Sequence, residues 1–176
     1  MRVRDHIAIS SATALLSRRW LGRSAILLWS GAVLIDSDHY FAFWLQEGRV
    51  SPAAAVRFYN RAIAAQPRAA RALHTPFAVL TVFGLGSRSR SLTTLGLGMG
   101  LHVMLDALHE TRMKYARAAA LERDQHTCQT CGRRAPQVGT HLSRQPWLLP
   151  SYRPQNVVSL CDPCHELAHA PQMSPA

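Results

Sequence analysis

The sequence predicts an α-helical bundle over residues 1–120, followed by a C-terminal module over 121–176 that is too short to hold itself together by apolar burial alone. Three observations carry this reading. Apolar stretches of helical length fill the first two thirds, with no alternating strand pattern before residue 121. After Asp124 the chain breaks into short runs, turns and prolines. The only four cysteines stand in two Cys-x-x-Cys pairs, Cys128–Cys131 and Cys161–Cys164. Two knuckles of this spacing can present four thiolates to one tetrahedral, structural Zn2+, whose binding energy replaces the missing core. The same residues could instead form two disulfides or remain separate thiols. Zinc thiolates fit a reducing compartment, so the expected location is the cytoplasm or the cytoplasmic face of the inner membrane.

The elements follow in order. The basic start, Met1-Arg-Val-Arg, is interrupted by Asp5 and His6, and the stretch Ile7–Leu16 carries three hydroxyl residues and no clean small-x-small cleavage site. Ala25–Ile35 is nearly all apolar and follows Arg18, Arg19 and Arg23. Ser51-Pro52 is a helix start, with Ser as N-cap and Pro at the first helical position. An Ala-rich helix is expected to run from there to Ala65, break at Gln66-Pro67 and resume over Arg68–Leu73. Pro76–Gly86 and Leu92–Leu108 are further apolar helices, the second extended through Arg123. None of these runs reaches the eighteen or so uninterrupted apolar residues of a clear spanning helix, so a buried core helix and a short membrane segment both remain open.

Charge is uneven. Residues 1–120 hold fifteen basic and six acidic side chains, and residues 121–176 hold five and four. A basic surface can serve nucleic acid, anionic lipid or simply solvent.

The C-terminal part reads Cys128-Gln-Thr-Cys131, then Thr140-His141, then Asn156, then Cys161-Asp-Pro-Cys164-His165. This order resembles the HNH endonuclease family in its four-cysteine form, over about fifty residues. The resemblance implies a ββα-metal finger with a structural zinc and a catalytic divalent ion (Mg2+, Mn2+ or Zn2+). It further implies His141 as general base, Asn156 orienting the base's loop or approaching the metal, and His165 as a metal ligand. Independently, His165 and His169 are spaced i, i+4 and share a helix face, so both can grip one ion. Thr140 stands where that family usually carries an acidic or metal-binding residue.

The helical part carries its own constellation. Asp36-Ser-Asp38-His39 closes an apolar segment, and His102, Asp106 and His109 form one helix stripe. Buried carboxylates beside imidazoles are costly unless paired or metal-bound. In order, His6, Asp36, Asp38, His39, His74-Thr75, His102 and Asp106 resemble the motifs of the membrane-bound metal-dependent hydrolases, which implies a metal site built from those residues. The leading expectation is an enzyme that hydrolyses nucleic-acid phosphodiesters through the finger. The alternatives are a membrane-associated hydrolase acting through the helical site, or a non-enzymatic nucleic-acid-binding adaptor.

Overall fold

The computed structural model describes residues 3–60, 71–134, 138–143 and 151–169, with the side chains of 59 and 60 left out. It is mostly helical, with a small two-stranded sheet near the C-terminus. The chain divides into two compact units, Met1–Ala107 and Leu108–Ala176. The seam falls ahead of residue 120 because Ala116 and Ala120 bury themselves against Val157 of the second unit.

In the first unit the helices are α1 (Val3–Leu21), α2 (Ala25–Leu34), α3 (Ser37–Glu47), α4 (Pro52–Asn60), α5 (Pro76–Gly86) and the first half of α6 (Arg90–Arg123). Local chemistry starts two of them. Ser51 Oγ accepts the Ala54 N–H at 3.3 Å ahead of Pro52. Thr75 Oγ1 accepts the Ala78 N–H at 3.1 Å ahead of Pro76. Each hydroxyl satisfies one of the donors left over in a first turn. The break expected at Gln66-Pro67 lies outside the described residues. Ala72 and Leu73, expected to be helical, are a bend and a turn, and the Leu73 N–H donates to Asp38 Oδ2 at 2.9 Å in place of a helical carbonyl.

Packing of α2 on α6 is set by two glycines. A Cβ on Gly31 would fall on the Leu95 carbonyl, and one on Gly98 would fall on the Leu28 carbonyl. Only hydrogen fits at either point, so the two backbones touch. That approach lets the His102 Nδ1–H donate to the Ala32 carbonyl at 2.7 Å. It also brings the end of α2, where Asp36 follows, beside the polar stripe of α6.

In the second unit α6 ends at Arg123, and β1 (Val138–Leu142) pairs antiparallel with β2 (Val157–Cys161), followed at once by α7 (Asp162–His169). The register sets Leu142 opposite Val157, His141 opposite Val158 and Thr140 opposite Ser159. Asp124 ties helix to sheet. Its carboxylate accepts the Ser159 N–H at 3.1 Å and both the Nε and Nη2 of Arg123 at 2.7 and 2.8 Å. Arg123 also donates to the Pro154 and Val157 carbonyls, each at 2.9 Å. The Arg123 guanidinium, with the Ser159 bonds, holds the Asp124 carboxyl below the usual carboxylate range.

Candidate metal centres

The helical unit gathers all seven of its expected site residues. His6 comes from α1, Asp36 from the link between α2 and α3, and Asp38 and His39 from α3. His74 comes from the turn before α5, and His102 and Asp106 from α6. Three overlapping sets have donor atoms within 4.8 Å of one another: His6–His102–Asp106, Asp36–His74–His102 and Asp38–His39–His74. His102 is fully buried, His6 and Asp38 nearly so.

The outer nitrogens fix the tautomers. His102 Nδ1 carries the proton it gives to Ala32. His74 Nδ1 donates to Asp38 Oδ2 at 3.1 Å. Each ring therefore turns a lone pair inward at Nε2, and those two atoms stand 3.1 Å apart. Asp36 Oδ1 is 3.2 Å from the first and 3.4 Å from the second, and Asp106 Oδ2 is 3.4 Å from His102 Nε2. His6 Nε2 reaches Asp106 Oδ1 at 3.0 Å. Lone pairs and carboxylate oxygens that converge in this way require a proton or a cation between them. A proton answers part of the need: burial opposes the charged form of His74, but bonds to Asp36 and Asp38 outweigh it and raise the group to about 9. Burial likewise opposes ionisation of Asp36 and Asp106. Asp36 is nevertheless held below its ordinary range by its bond to His74 and the His102 charge, and Asp106 by its bonds to His102 and His6. An imidazole whose far nitrogen is anchored to a carbonyl or carboxylate is the usual preparation of a metal ligand. The residues fit a divalent ion.

His109 does not join this site, although the stripe spacing aligns it with His102 and Asp106. It lies in the second unit, where its Nε2 meets the Tyr152 hydroxyl at 3.1 Å.

In the second unit the four cysteines cluster with all sulfurs within 4.8 Å, and they could hold a metal such as zinc. Cys131 Sγ and Cys161 Sγ are 3.6 Å apart, close to the ~3.8 Å edge of a tetrahedron with ~2.3 Å metal–sulfur bonds. The first knuckle is wound by the Cys128 N–H donating to Arg133 and the Gly132 N–H donating to Cys128, both at 2.9 Å. The Cys161 and Cys131 amides lower the Cys128 thiol to about 6, whereas the Cys161 thiol raises Cys164 to about 12.

A third cluster joins His141 of β1 to His165 and His169 of α7. Ring centroids are 5.3 Å apart for His141–His165, 4.7 Å for His141–His169 and 4.8 Å for His165–His169. His165 Nε2 and His169 Nε2 are 3.2 Å apart, which suits two ligands of a tetrahedral ion with ~2.1 Å bonds and ~3.4 Å edges. Burial, with the neighbouring His169 and His165, lowers the His141 pKa and keeps its lone pair available near neutrality.

The Asn156 side chain does not approach the imidazoles; its Nδ2 donates to the Ser151 carbonyl at 3.4 Å. It is the Asn156 backbone carbonyl that holds the strand end after His141, accepting the Ser143 N–H and Oγ–H at 2.8 and 2.9 Å. Thr140, whose neutral hydroxyl makes a poor ligand, is outside the three-histidine cluster. Strand alternation points it with Ser159 to the face opposite His141.

Gly31 and Gly98 were not singled out by sequence reasoning, although the run Gly96-Leu-Gly98-Met-Gly100 within α6 was the available signal of close helix contact. Compared with known proteins, the chain matches no family model, no curated protein and no solved structure.

Proposed function

We propose that the protein is a metal-dependent phosphodiesterase of nucleic acid, acting through an HNH-like finger in its second unit. The observation that carries this reading is the convergence of His141 on β1 with His165 and His169 on the helix that follows β2 directly. His165 and His169 would hold a divalent ion, and the cysteine cluster a structural zinc. When bound, the divalent ion supplies charge neutralisation at the scissile phosphate and its leaving oxygen. His141, neutral near pH 7, takes a proton from the attacking water. Asn156 positions the base through the Ser143 bonds. The test is nicking of supercoiled plasmid by the full chain with added Mg2+ or Mn2+. His141→Ala should abolish nicking while zinc content and helicity persist; unchanged nicking would remove the finger from the chemistry.

A second reading is favoured by the seven-residue cluster of the helical unit. It supports a hydrolase acting on a phosphate ester or lipid at that centre, seated against a membrane. Exposed apolar side chains such as Leu16, Trp20, Ile26, Phe77 and Leu80 on the same unit, with Arg18, Arg19 and Arg23 nearby in sequence, agree with a lipid surface. By length and composition alone, α6 is also apolar enough to cross a bilayer.

A further inference from the structure

A cleft of about 630 Å³ opens in the second unit between the middle of α6 and the segment leading to β2. Among the described residues its walls are Thr111, Arg112 and Tyr115 on the helix and Ser151, Tyr152 and Arg153 on the segment. No carboxylate is among them. Lys114, the next cation on the helix, is already paired with Glu110 at 2.9 Å. Arg112 and Arg153 make no ion pair among the described residues and are exposed. Tyr115, on the same lining, is 69% exposed. The opposite wall is fixed, since Tyr152 packs on the Ala116–Ala120–Val157 core and bonds His109.

Two guanidiniums unpaired among the described residues ask for phosphate oxygens, which they meet in forked pairs. An exposed aromatic ring on the same lining asks for a flat partner, and a nucleobase outside a duplex offers one. We infer that this cleft binds an unpaired stretch of a nucleic-acid strand, with Arg112 and Arg153 on successive phosphates and a base stacked on Tyr115. This rests on the nucleic-acid reading above and adds to it a separate binding site with a preference for single strands.

The experiment uses the full zinc-loaded chain without added Mg2+ or Mn2+, so that nothing is cut. Fluorescence anisotropy measures binding of a labelled oligo-dT and of a duplex of equal length. The single strand should bind more tightly. Arg112→Gln with Arg153→Gln should weaken it at least about tenfold and reduce the slope of log K against log salt by about 1.4, since each single-strand phosphate contact contributes ~0.7. Tyr115→Ala should weaken it at least about fivefold at any salt concentration. Arg133→Gln with Arg134→Gln makes the same charge change outside the cleft and should stay within about twofold. Equal losses in the two arginine pairs would reduce the effect to net charge and overturn the proposal. So would binding indifferent to Tyr115, or an Arg112/Arg153 requirement seen with anionic lipid vesicles and not with the oligonucleotide. The two readings fail separately: lost nicking in wild type with binding intact condemns the nuclease, and intact nicking with cleft variants binding normally condemns the cleft.

Discussion

The two units carry histidine clusters of opposite character. In the helical unit, four histidines and three aspartates sit in a largely buried setting, and at least two imidazoles are locked by bonds at their far nitrogens. In the second unit three histidines, with no carboxylate in their cluster among the described residues, stand at a half-exposed strand and helix end. The first arrangement is rigid because tertiary packing builds it; the second needs a neighbouring cysteine cluster to hold a very small fold. A buried, carboxylate-rich centre binds cations tightly. An open, neutral one leaves room for a bulky anionic substrate beside the ion.

The largest effect expected from breaking this contrast is in the cysteines. Cys128→Ser or Cys161→Ser should unfold the second unit, because structural zinc contributes on the order of 10–16 kcal/mol in small zinc domains. Metal analysis and two-dimensional NMR should show lost zinc and collapsed dispersion for 124–169, with the helical unit unaffected. Next comes Gly98→Ala. Its methyl would meet the Leu28 carbonyl, so α2 must move from α6 and take Asp36 from His102. Overpacking of this kind costs about 1–3 kcal/mol or more, and metal content of the helical unit should fall while zinc on the cysteines stays. Asp38→Asn is gentler. It weakens the hold on His74 Nδ1 and should lower metal affinity by about 10–100-fold with the helices intact, read by titration with Mn2+ or Zn2+.

The smallest effect concerns the clasp. Asp124→Ala leaves the Ser159 N–H without its acceptor and should destabilise the second unit by about 1–3 kcal/mol in chemical denaturation. Because the Asp124 carboxyl is held below its unfolded value, its contribution is complete above an unfolded pKa near ~4 and fades as pH falls through the lower folded value. The variant should therefore lose part of the acid sensitivity of the wild type.

These contrasts also mark what was legible beforehand. The clustering of the four cysteines, and of His165 with His169, was legible from spacing, since ligand-type residues within one knuckle or helix turn are written locally. The seven helical-site residues were nameable, but their convergence depends on Gly31 and Gly98 letting two backbones touch, a tertiary event with only a faint mark in sequence. The parts played by Thr140 and Asn156 were less legible for one reason: strand register and a backbone carbonyl decide them, and residue type does not encode either. His109 followed the helix stripe correctly yet found Tyr152, because the stripe continues past the point where the first unit ends.

The most direct measurement is plasmid nicking by the full chain with Mn2+, comparing His141→Ala with Asp106→Ala at equal zinc content. The account predicts that His141→Ala loses nicking by at least about 100-fold, the usual scale of a general base, and that Asp106→Ala nicks like wild type. Nicking abolished by Asp106→Ala and retained by His141→Ala would contradict it and move the chemistry to the helical unit.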